Sequence, residues 1–502
     1  MSPMTEFSLI HHRPPNPSPA AQSITGGDAA IGCGGHCAAP ARRVMLDAMV
    51  KRIVDVVAVV AVAAIAITIS LWLTPMQTVQ AVGQTVRVGA AAPTASWSGP
   101  GEVDLFGQKL DTTIDFPGPI RPRFELTDLQ LSENLADLVG PGADADARRA
   151  AQDEFQDALV DGWRDYLIVQ VLIVAAFSLL LIGAVAGWQR RSARASITMV
   201  IVGVLVAAAA NVGAVVATAV AAAGHLRDIT SVEALVGAPS VPMAPPAAAP
   251  PTTGSVVVIG DSTAAGIGNP PLPNPSPDDT ACERTSGSFA VALGRASDWD
   301  VTSVACSSAT IRDGLLGEQH RGDRVLPPQL PAALASAPAA LVVSVGANDV
   351  GWSHLVGLCA TLPDCGGNAS DAYFHQQLES FTRDYLVLLT RLRSLADPPT
   401  VVINTYYDPL PDDASCVRDL GITEEKADIL HGWLGEMNTV LAEGAEAASF
   451  PVARPSFDGH GLCSPDPFVQ PLDGKAPLHP TTAGGLAIAL ADQKALLDAG
   501  VR

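Results

Sequence analysis

The sequence predicts an α/β protein with a parallel sheet covered by helices on both faces, preceded by transmembrane helices and a small extracytoplasmic α/β module. Short apolar runs alternate with helical patterns over the last half of the 502 residues, which is typical of such a sheet. Three much longer apolar runs come before that half and are long enough to cross a membrane. A stretch with its own strand and helix patterns separates the first two of these runs.

The three long apolar runs explain two features of the composition. Hydrophobic residues make up 48% of the chain, and the mean hydropathy of +0.27 is high for a wholly soluble protein. A helix of about 20 apolar residues spans the hydrocarbon core of a bilayer, and each run reaches that length. The predicted transmembrane helices comprise residues 51–74, 166–188 and 196–223.

Basic residues flank the apolar runs in a pattern that predicts an orientation. Positive side chains gather on the cytoplasmic side of membrane helices. Here they stand before the first run and in the turn between the second and third: Arg42, Arg43, Lys51, Arg52, Arg190, Arg191 and Arg194. The N-terminus is therefore predicted to be cytoplasmic, whereas residues 75–165 and the chain after the third helix are predicted to lie outside.

Residues 1–50 are predicted to form a disordered cytoplasmic tail, because their early part is rich in Pro, Gly, Ser and Ala and shows no apolar period. The tail carries Cys33 and Cys37 on either side of His36, three residues that a zinc ion could use as ligands. One short cluster without a second half is a weak zinc signal, so we expect reduced thiols there.

Residues 75–165 are predicted to form the extracytoplasmic module. Alternating apolar and polar residues broken by Gly and Pro predict short strands between 78 and 116, and a helical pattern extends from 126 to 165. The sequence leaves open whether this module is a spacer, a partner-binding surface or a lid. Residues 232–253 are rich in Pro and Ala and are predicted to be a semi-extended linker that holds residues 254–502 off the bilayer.

Residues 254–502 carry the alternating strand and helix patterns. The predicted strands are residues 255–259, 301–305, 339–345, 400–405 and, more weakly, 450–454; the predicted helices are residues 289–295, 373–395, 424–447 and 481–499. In a parallel sheet of this kind, functional residues lie at the carboxyl ends of the strands.

Three short motifs lie at or near such ends: Gly-Asp-Ser at 260–262, Gly-Ala-Asn-Asp at 346–349 and Leu-His-Pro at 478–480. A serine in a strand-to-helix turn projects its hydroxyl toward the positive N-terminus of the helix, where a developing alkoxide is favoured. A serine hydroxyl attacks an ester poorly until a base takes its proton. Ser262 therefore requires an imidazole, and His479 is the best candidate.

Taken together and in this order, the three motifs resemble those of the GDSL, or SGNH, serine esterases, from about residue 255 to the end of the chain. The resemblance implies a flavodoxin-like SGNH-hydrolase fold and a carboxylic ester hydrolase that needs no metal or other cofactor. It also implies that Ser262 is the nucleophile and His479 the base. The oxyanion hole would consist of the backbone N–H groups of Ser262 and Ser308 and the side-chain amide of Asn348. Ser308 stands where the family customarily has glycine, so its N–H serves if a serine can hold the required backbone angles.

The sequence departs from the family before the histidine. The usual aspartate three residues upstream is replaced by Ala476. Some secreted members of the family orient the imidazole with a main-chain carbonyl, and this resemblance implies that the carbonyl of Ala476 does so here. Two other readings stay open: Asp473 orients the ring, or the site is impaired.

Six of the eight cysteines lie in the part of the chain predicted to be outside, where an oxidising environment preserves disulfides. Six cysteines permit fifteen pairings. The resemblance to secreted actinobacterial esterases implies a sequential pairing of Cys282 with Cys306, Cys359 with Cys365, and Cys416 with Cys463.

The expected function is that of a membrane-anchored, extracytoplasmic serine esterase that acts on an ester of an envelope glycan or a lipid. Two alternatives remain: an O-acyltransferase on envelope glycans, or a catalytically weak ligand-binding scaffold. The net charge of −21 argues against nucleic acid as a partner, because binding phosphate backbones requires a concentrated basic surface. The sequence does not indicate a protein partner.

Overall fold

The computed structural model describes residues 39–81, 84–93, 96, 98–118, 120–129, 145–190, 192–226, 232–238, 252–411 and 413–502. The chain divides into residues 1–58 and residues 59–502. In the first part, residues 39–58 are helical, so the end of the predicted disordered tail, residues 39–50, belongs to a helix instead. Cys33, His36 and Cys37 lie outside the described residues.

Three long helices correspond to the predicted membrane spans: α1 (Ala39–Leu73), α2 (Ala145–Trp188) and α3 (Ala193–Leu226). Their sections Met49–Leu73, Asp153–Trp188 and Ala193–Thr218 are long and apolar enough to cross a membrane. Small and apolar side chains pack where the helices meet, with Ala63, Val174 and Ala207 in one cluster. Helix α2 begins about twenty residues before the predicted span, so its first part belongs to the module and its last part is the second predicted membrane helix.

The module contains a five-stranded sheet of β1 (Gln77–Ala81), β2 (Gln84–Ala90), β3 (Ser98–Leu105), β4 (Gln108–Pro117) and β5 (Pro122–Leu129), in the order β1-β2-β5-β3-β4. The pairs are antiparallel except for β3 with β5. Strand β5 corrects the predicted helix from 126 onward. Phe124 and Leu126 are buried between exposed or half-buried neighbours, a period of two that fits a strand.

The C-terminal region forms the predicted parallel sheet from β6 (Thr252–Gly260), β7 (Asp300–Ser303), β10 (Pro338–Ser344), β11 (Thr400–Asn404) and β12 (Val452–Ala453). The spatial order is β12-β11-β10-β6-β7, and all neighbours are parallel. Counted along the chain, this is the 2-1-3-4-5 order of flavodoxin-like folds, with the topological switch point between β6 and β10. The predicted fold class is therefore confirmed.

Helices cover both faces of this sheet: α5 (Ser262–Ala265), α6 (Pro277–Ala281), α7 (Phe289–Ala296), α8 (Gln329–Leu334), α9 (Trp352–Thr361), α10 (Asn368–Arg393), α11 (Glu424–Ala447) and α12 (Thr482–Asp498). Strand β6 sends Val256 and Val258 to the face covered by α7 and α12, and Val257 and Ile259 to the opposite face. The sequence analysis missed α6, α8, α9 and a hairpin of β8 (Gln319–Arg321) and β9 (Arg324–Leu326). Three disulfides join the six cysteines in the sequential pairing that the resemblance implies.

The module packs directly on the C-terminal region, since buried residues of both belong to one apolar core. Phe106, at the β3–β4 turn, lies edge-on to Tyr385 of α10 with ring centroids 5.9 Å apart. The start of the predicted linker also takes part. Residues Val232–Leu235 form the short helix α4, and the carbonyl of Leu235 accepts a hydrogen bond from Thr113 Oγ1. Residues 239–251 of the predicted linker lie outside the described part of the chain.

Candidate active site

The turn after β6 needs glycine at position 260. Gly260 has φ of +153°, and a Cβ there would lie 2.1 Å from the carbonyl oxygen of Ser344. The side-chain amide of Gln329 accepts the Gly260 N–H through Oε1 at 2.8 Å and donates through Nε2 to the Gly260 carbonyl at 3.0 Å. Asp261 then caps the next helix, accepting the backbone N–H of Thr263 at 2.9 Å. These contacts place Ser262 at the carboxyl edge of the sheet.

Ser262 and His479 meet across 217 residues of sequence. Their Oγ and Nε2 atoms are 2.8 Å apart, a distance suitable for proton transfer. Ser262 is only 8% exposed, so bulk water competes little for this contact.

A main-chain carbonyl holds the other side of the imidazole. His479 Nδ1 lies 3.0 Å from the carbonyl oxygen of Pro477. The carbonyl of Ala476, the predicted orienting group, accepts the backbone N–H of His479 at 3.2 Å. It also raises the pKa of the His479 imidazole. Asp473 makes no hydrogen bond to His479. The principal acceptor is thus one residue later than expected, because Leu478 adopts a left-handed φ of +63° that turns the chain before the histidine.

Burial lowers the pKa of His479 below its ordinary value of 6.5, and the carbonyls of Pro477 and Ala476 oppose that shift. The imidazole is therefore neutral at neutral pH. With Nδ1–H donating to a carbonyl, Nε2 carries the lone pair that faces the serine hydroxyl.

Besides Ser262, which follows β6, the residues expected to form the oxyanion hole lie on the loops after β7 and β10. Ser308 has φ of +64°, so serine does adopt the left-handed conformation for which glycine is usual. Asn348 Nδ2 donates to the carbonyl of Ala309 at 3.0 Å, which fixes the amide and leaves its second N–H for a ligand. Asp349 Oδ1 accepts the backbone N–H of Ile311 at 3.0 Å. Two consecutive side chains thus tie one loop to the other.

Two tyrosines that follow β11 were missed by the sequence analysis. The hydroxyl of Tyr406 donates to Asp261 Oδ2 at 2.5 Å and accepts the backbone N–H of Ala347 at 3.1 Å. The hydroxyl of Tyr407 donates to the carbonyl of Leu478 at 2.9 Å. The two tyrosines therefore connect the serine, asparagine and histidine loops. The sequence signal was present, since two consecutive tyrosines stand directly after a predicted strand.

Two buried carboxyl groups, those of Asp261 and Asp349, hold the active-site loops through hydrogen bonds. Burial raises the pKa of Asp261 to about 6, although Tyr406 and backbone N–H groups donate to it. Burial also raises the pKa of Asp349 to about 7. Neither carboxyl contacts His479, so they act on the loops rather than on the base.

A pocket of mixed polar and apolar lining opens beside the Ser262 hydroxyl. Its lining combines the polar groups Ser262, Asn348 and His479 with rings and aliphatic side chains, chiefly Trp352, Tyr406, Tyr407, Pro409, Leu434, Met437 and Leu478. A serine hydroxyl paired with an imidazole, beside a side-chain amide at the same pocket, is an arrangement able to bind and cleave an ester.

A flavodoxin-like sheet that presents a serine–histidine pair at its carboxyl edge defines an SGNH-type ester hydrolase. Residues 258–485 match the model of the GDSL-like lipase/acylhydrolase family. This region of the chain therefore belongs to that family and is a carboxylic ester hydrolase. The comparison with curated proteins finds no match.

Several solved structures are similar to this half of the chain. An extracellular lipase from Streptomyces rimosus is 19% identical with a TM-score of 0.40, over 49% of this chain and 100% of that one. A phospholipase A1 from Streptomyces albidoflavus is 20% identical with a TM-score of 0.38, over 49% and 100%. An acetyl xylan esterase variant from Geobacillus stearothermophilus is 16% identical with a TM-score of 0.31, over 50% and 97%.

Proposed function

We propose that this protein is a membrane-anchored, extracytoplasmic serine esterase that cleaves an ester of the cell envelope or of a lipid. Ser262 is its nucleophile and His479 its general base. The observation that carries this proposal is the 2.8 Å contact between Ser262 Oγ and His479 Nε2 beside an open pocket. Family membership alone gives the reaction class but not the residues that perform it.

In the first half of the reaction, Ser262 Oγ forms a bond to the ester carbonyl carbon while its proton passes to His479 Nε2. The carbonyl oxygen becomes an oxyanion that the N–H groups of Ser262 and Ser308 and the Asn348 amide stabilise. As the intermediate collapses, the bond to the alcohol oxygen breaks. His479 gives its proton to that oxygen, and an acyl group remains on Ser262.

In the second half, water replaces the alcohol. His479 takes a proton from the water as its oxygen attacks the acyl carbon. When the second tetrahedral intermediate collapses, the bond to Ser262 Oγ breaks, His479 Nε2 returns its proton to that oxygen, and the acid leaves. The carbonyl of Pro477 keeps the ring in the tautomer that both halves need. A neutral carbonyl stabilises the imidazolium less than a carboxylate does, so we expect a slower dyad than one with aspartate.

Two features support a location outside the membrane. Basic residues gather at the predicted cytoplasmic ends of the spans, and three disulfides lie in the hydrolase region. An alkaline phosphatase fusion after residue 238 should be active, whereas a fusion after Arg190 should be inactive. The opposite pattern would place the hydrolase region in the cytoplasm.

Hydrolysis of p-nitrophenyl acetate by the full chain in nanodiscs tests the chemistry. We expect Ser262→Ala and His479→Ala to lower kcat by at least about 10³-fold. Ser415→Ala, at an exposed serine of the same region, serves as the matched control and should keep wild-type activity. Equal activity of the wild type and Ser262→Ala would refute the assignment of the nucleophile.

A further inference from the structure

Ser308 occupies the third position of a β-turn. The carbonyl of Cys306 accepts the backbone N–H of Ala309 at 3.1 Å, which closes a turn of residues 306–309. Within this turn Ser308 has φ of +64°, whereas Ser307 has a negative φ. A positive φ at the third position alone defines a type II turn, for which glycine is usual at that position. A type I turn suits most other residues and differs in the orientation of the central peptide group.

The central peptide group of this turn carries the backbone N–H of Ser308. Because a peptide group is planar and trans, its N–H points away from its carbonyl, which here belongs to Ser307. A change from type II to type I would turn this group by about half a revolution and aim the N–H in the opposite direction. The Cβ of a serine favours that change, because it makes a left-handed backbone unfavourable. The observed orientation therefore requires support from outside the turn.

Strand β8 supplies that support at two atoms. Gln319, which is only 5% exposed, donates from Nε2 to the carbonyl of Ser307 at 2.8 Å. Arg321 donates from Nη1 to the hydroxyl of Ser308 at 3.3 Å. Side chains two residues apart lie on the same face of a strand, so β8 presents both donors to the turn. The Arg321 guanidinium is itself anchored by Glu283 at 2.7 Å.

We propose that Gln319 and Arg321 are positioning residues that keep the peptide between Ser307 and Ser308 in the orientation required for the oxyanion hole. This inference rests on the proposed function, in which the N–H of Ser308 stabilises the oxyanion. It also explains how serine can stand at a position where glycine is customary. Glycine adopts the left-handed conformation readily, whereas Ser308 keeps it through its contacts with β8.

Hydrolysis of p-nitrophenyl acetate by the full chain in nanodiscs tests this proposal. Gln319→Leu should lower kcat by at least about tenfold and change KM by less than about twofold, because an oxyanion donor acts in the transition state. Arg321→Ala should lower kcat by about threefold, since its bond to Ser308 is longer and more exposed. Arg324→Ala is the matched control. It removes an exposed ion pair with Asp278 from the same hairpin and should keep the wild-type kcat.

The Ser308→Gly background separates positioning from a general structural role. There, Gln319→Leu should lower kcat by no more than about twofold, because glycine favours the type II turn without help from β8. An equal loss in both backgrounds, or a wild-type kcat in folded Gln319→Leu, would overturn the inference. If thermal unfolding shows that Gln319→Leu does not fold, Arg321→Ala is compared in the two backgrounds by the same criteria. Failure of the proposed function is distinct: the wild type hydrolyses no ester, and a fluorophosphonate does not label Ser262.

Discussion

The module and the hydrolase region use polar residues in different ways. In the module, charged side chains pair across neighbouring strands, as in Arg87 with Glu125 and Arg123 with Asp104, both at 2.8 Å. Such partly exposed pairs contribute little stability. In the hydrolase region, polar side chains converge on the carboxyl edge of the sheet, where they bond loops that are distant in sequence. The polar groups of the candidate active site thus meet at one edge of the C-terminal sheet.

The two regions nevertheless share one apolar core, to which Phe106 of the module and Tyr385 of the hydrolase region both belong. The contact between these two rings contributes to stability, and neither ring lines the pocket beside Ser262 and His479. The comparison therefore separates two kinds of variant: those that unfold the protein and those that stop its chemistry.

The largest expected effect is on stability. Phe106→Ala should lower the free energy of unfolding by about 3–5 kcal/mol, because it leaves a cavity against Tyr385. Thermal unfolding of the full chain in nanodiscs measures this, with the exposed Leu420→Ala as the control. Where the variant is folded, kcat/KM should match the wild type. A large loss of kcat in folded Phe106→Ala would contradict the claim that this contact affects stability and not catalysis.

The next effect is on chemistry. Asn348→Ala should lower kcat by about 10²- to 10³-fold while the melting temperature stays close to that of the wild type, because one oxyanion donor is lost. Ser308→Gly is the matched control, since it keeps the backbone N–H and relieves the positive φ. Steady-state kinetics and thermal unfolding should be measured on both. Equal losses in the two variants would argue against backbone donation at 308.

A smaller effect concerns a buried carboxyl away from the active site. Burial raises the pKa of Asp492, on α12, from 3.8 to about 8, and Asn404 opposes the shift. Between about pH 4 and pH 8, Asp492 is protonated in the folded protein and ionised in the unfolded chain. This carboxyl therefore makes the free energy of unfolding fall as the pH rises through that range. Asp492→Asn should be more stable than the wild type at pH 8 by at least about 1 kcal/mol. Urea unfolding at pH 5 and pH 8 checks this, and a difference independent of pH would contradict it.

The smallest effect is a pH dependence of the rate. His479 must be neutral to accept the serine proton, and burial lowers its pKa below 6.5. We therefore expect kcat/KM to rise from acid pH to a plateau, with a midpoint below 6.5. The profile should be measured at constant ionic strength with p-nitrophenyl acetate. A midpoint well above 6.5 would mean that a carboxylate, such as Asp473, stabilises the imidazolium.

The sequence predicted the hydrolase fold well, because each strand is a short apolar run and each motif follows or precedes a regular element. Helix α11 begins and ends where its pattern predicts, at Glu424 and Ala447. The carbonyl that orients His479 was placed one residue too early, because a left-handed Leu478 has no signature in sequence. The loop bonds of Tyr406 and Tyr407 were missed for a related reason. The spacing and composition of apolar residues identify which residues are buried. They do not identify the hydrogen-bond partners, distant in sequence, of buried tyrosine hydroxyls.

In the N-terminal half, the patterns predicted element types better than packing. The three apolar runs are helices, and the alternating stretch before residue 117 forms strands. Residues 126–129 were taken for the start of a helix because leucines at helical spacing follow them, although they end the strand that contains Phe124. The packing of Phe106 on Tyr385 could not be predicted, since a buried face does not specify its partner.

The central claim is that Ser262 is an activated nucleophile on the outer side of the membrane. A membrane-impermeant fluorophosphonate applied to intact cells, followed by mass spectrometry of the labelled peptide, tests it most directly. We predict one adduct, on Ser262, that is absent in His479→Ala and forms at the wild-type rate in Ser415→Ala. No adduct on intact cells, or an adduct on another serine, would contradict the claim.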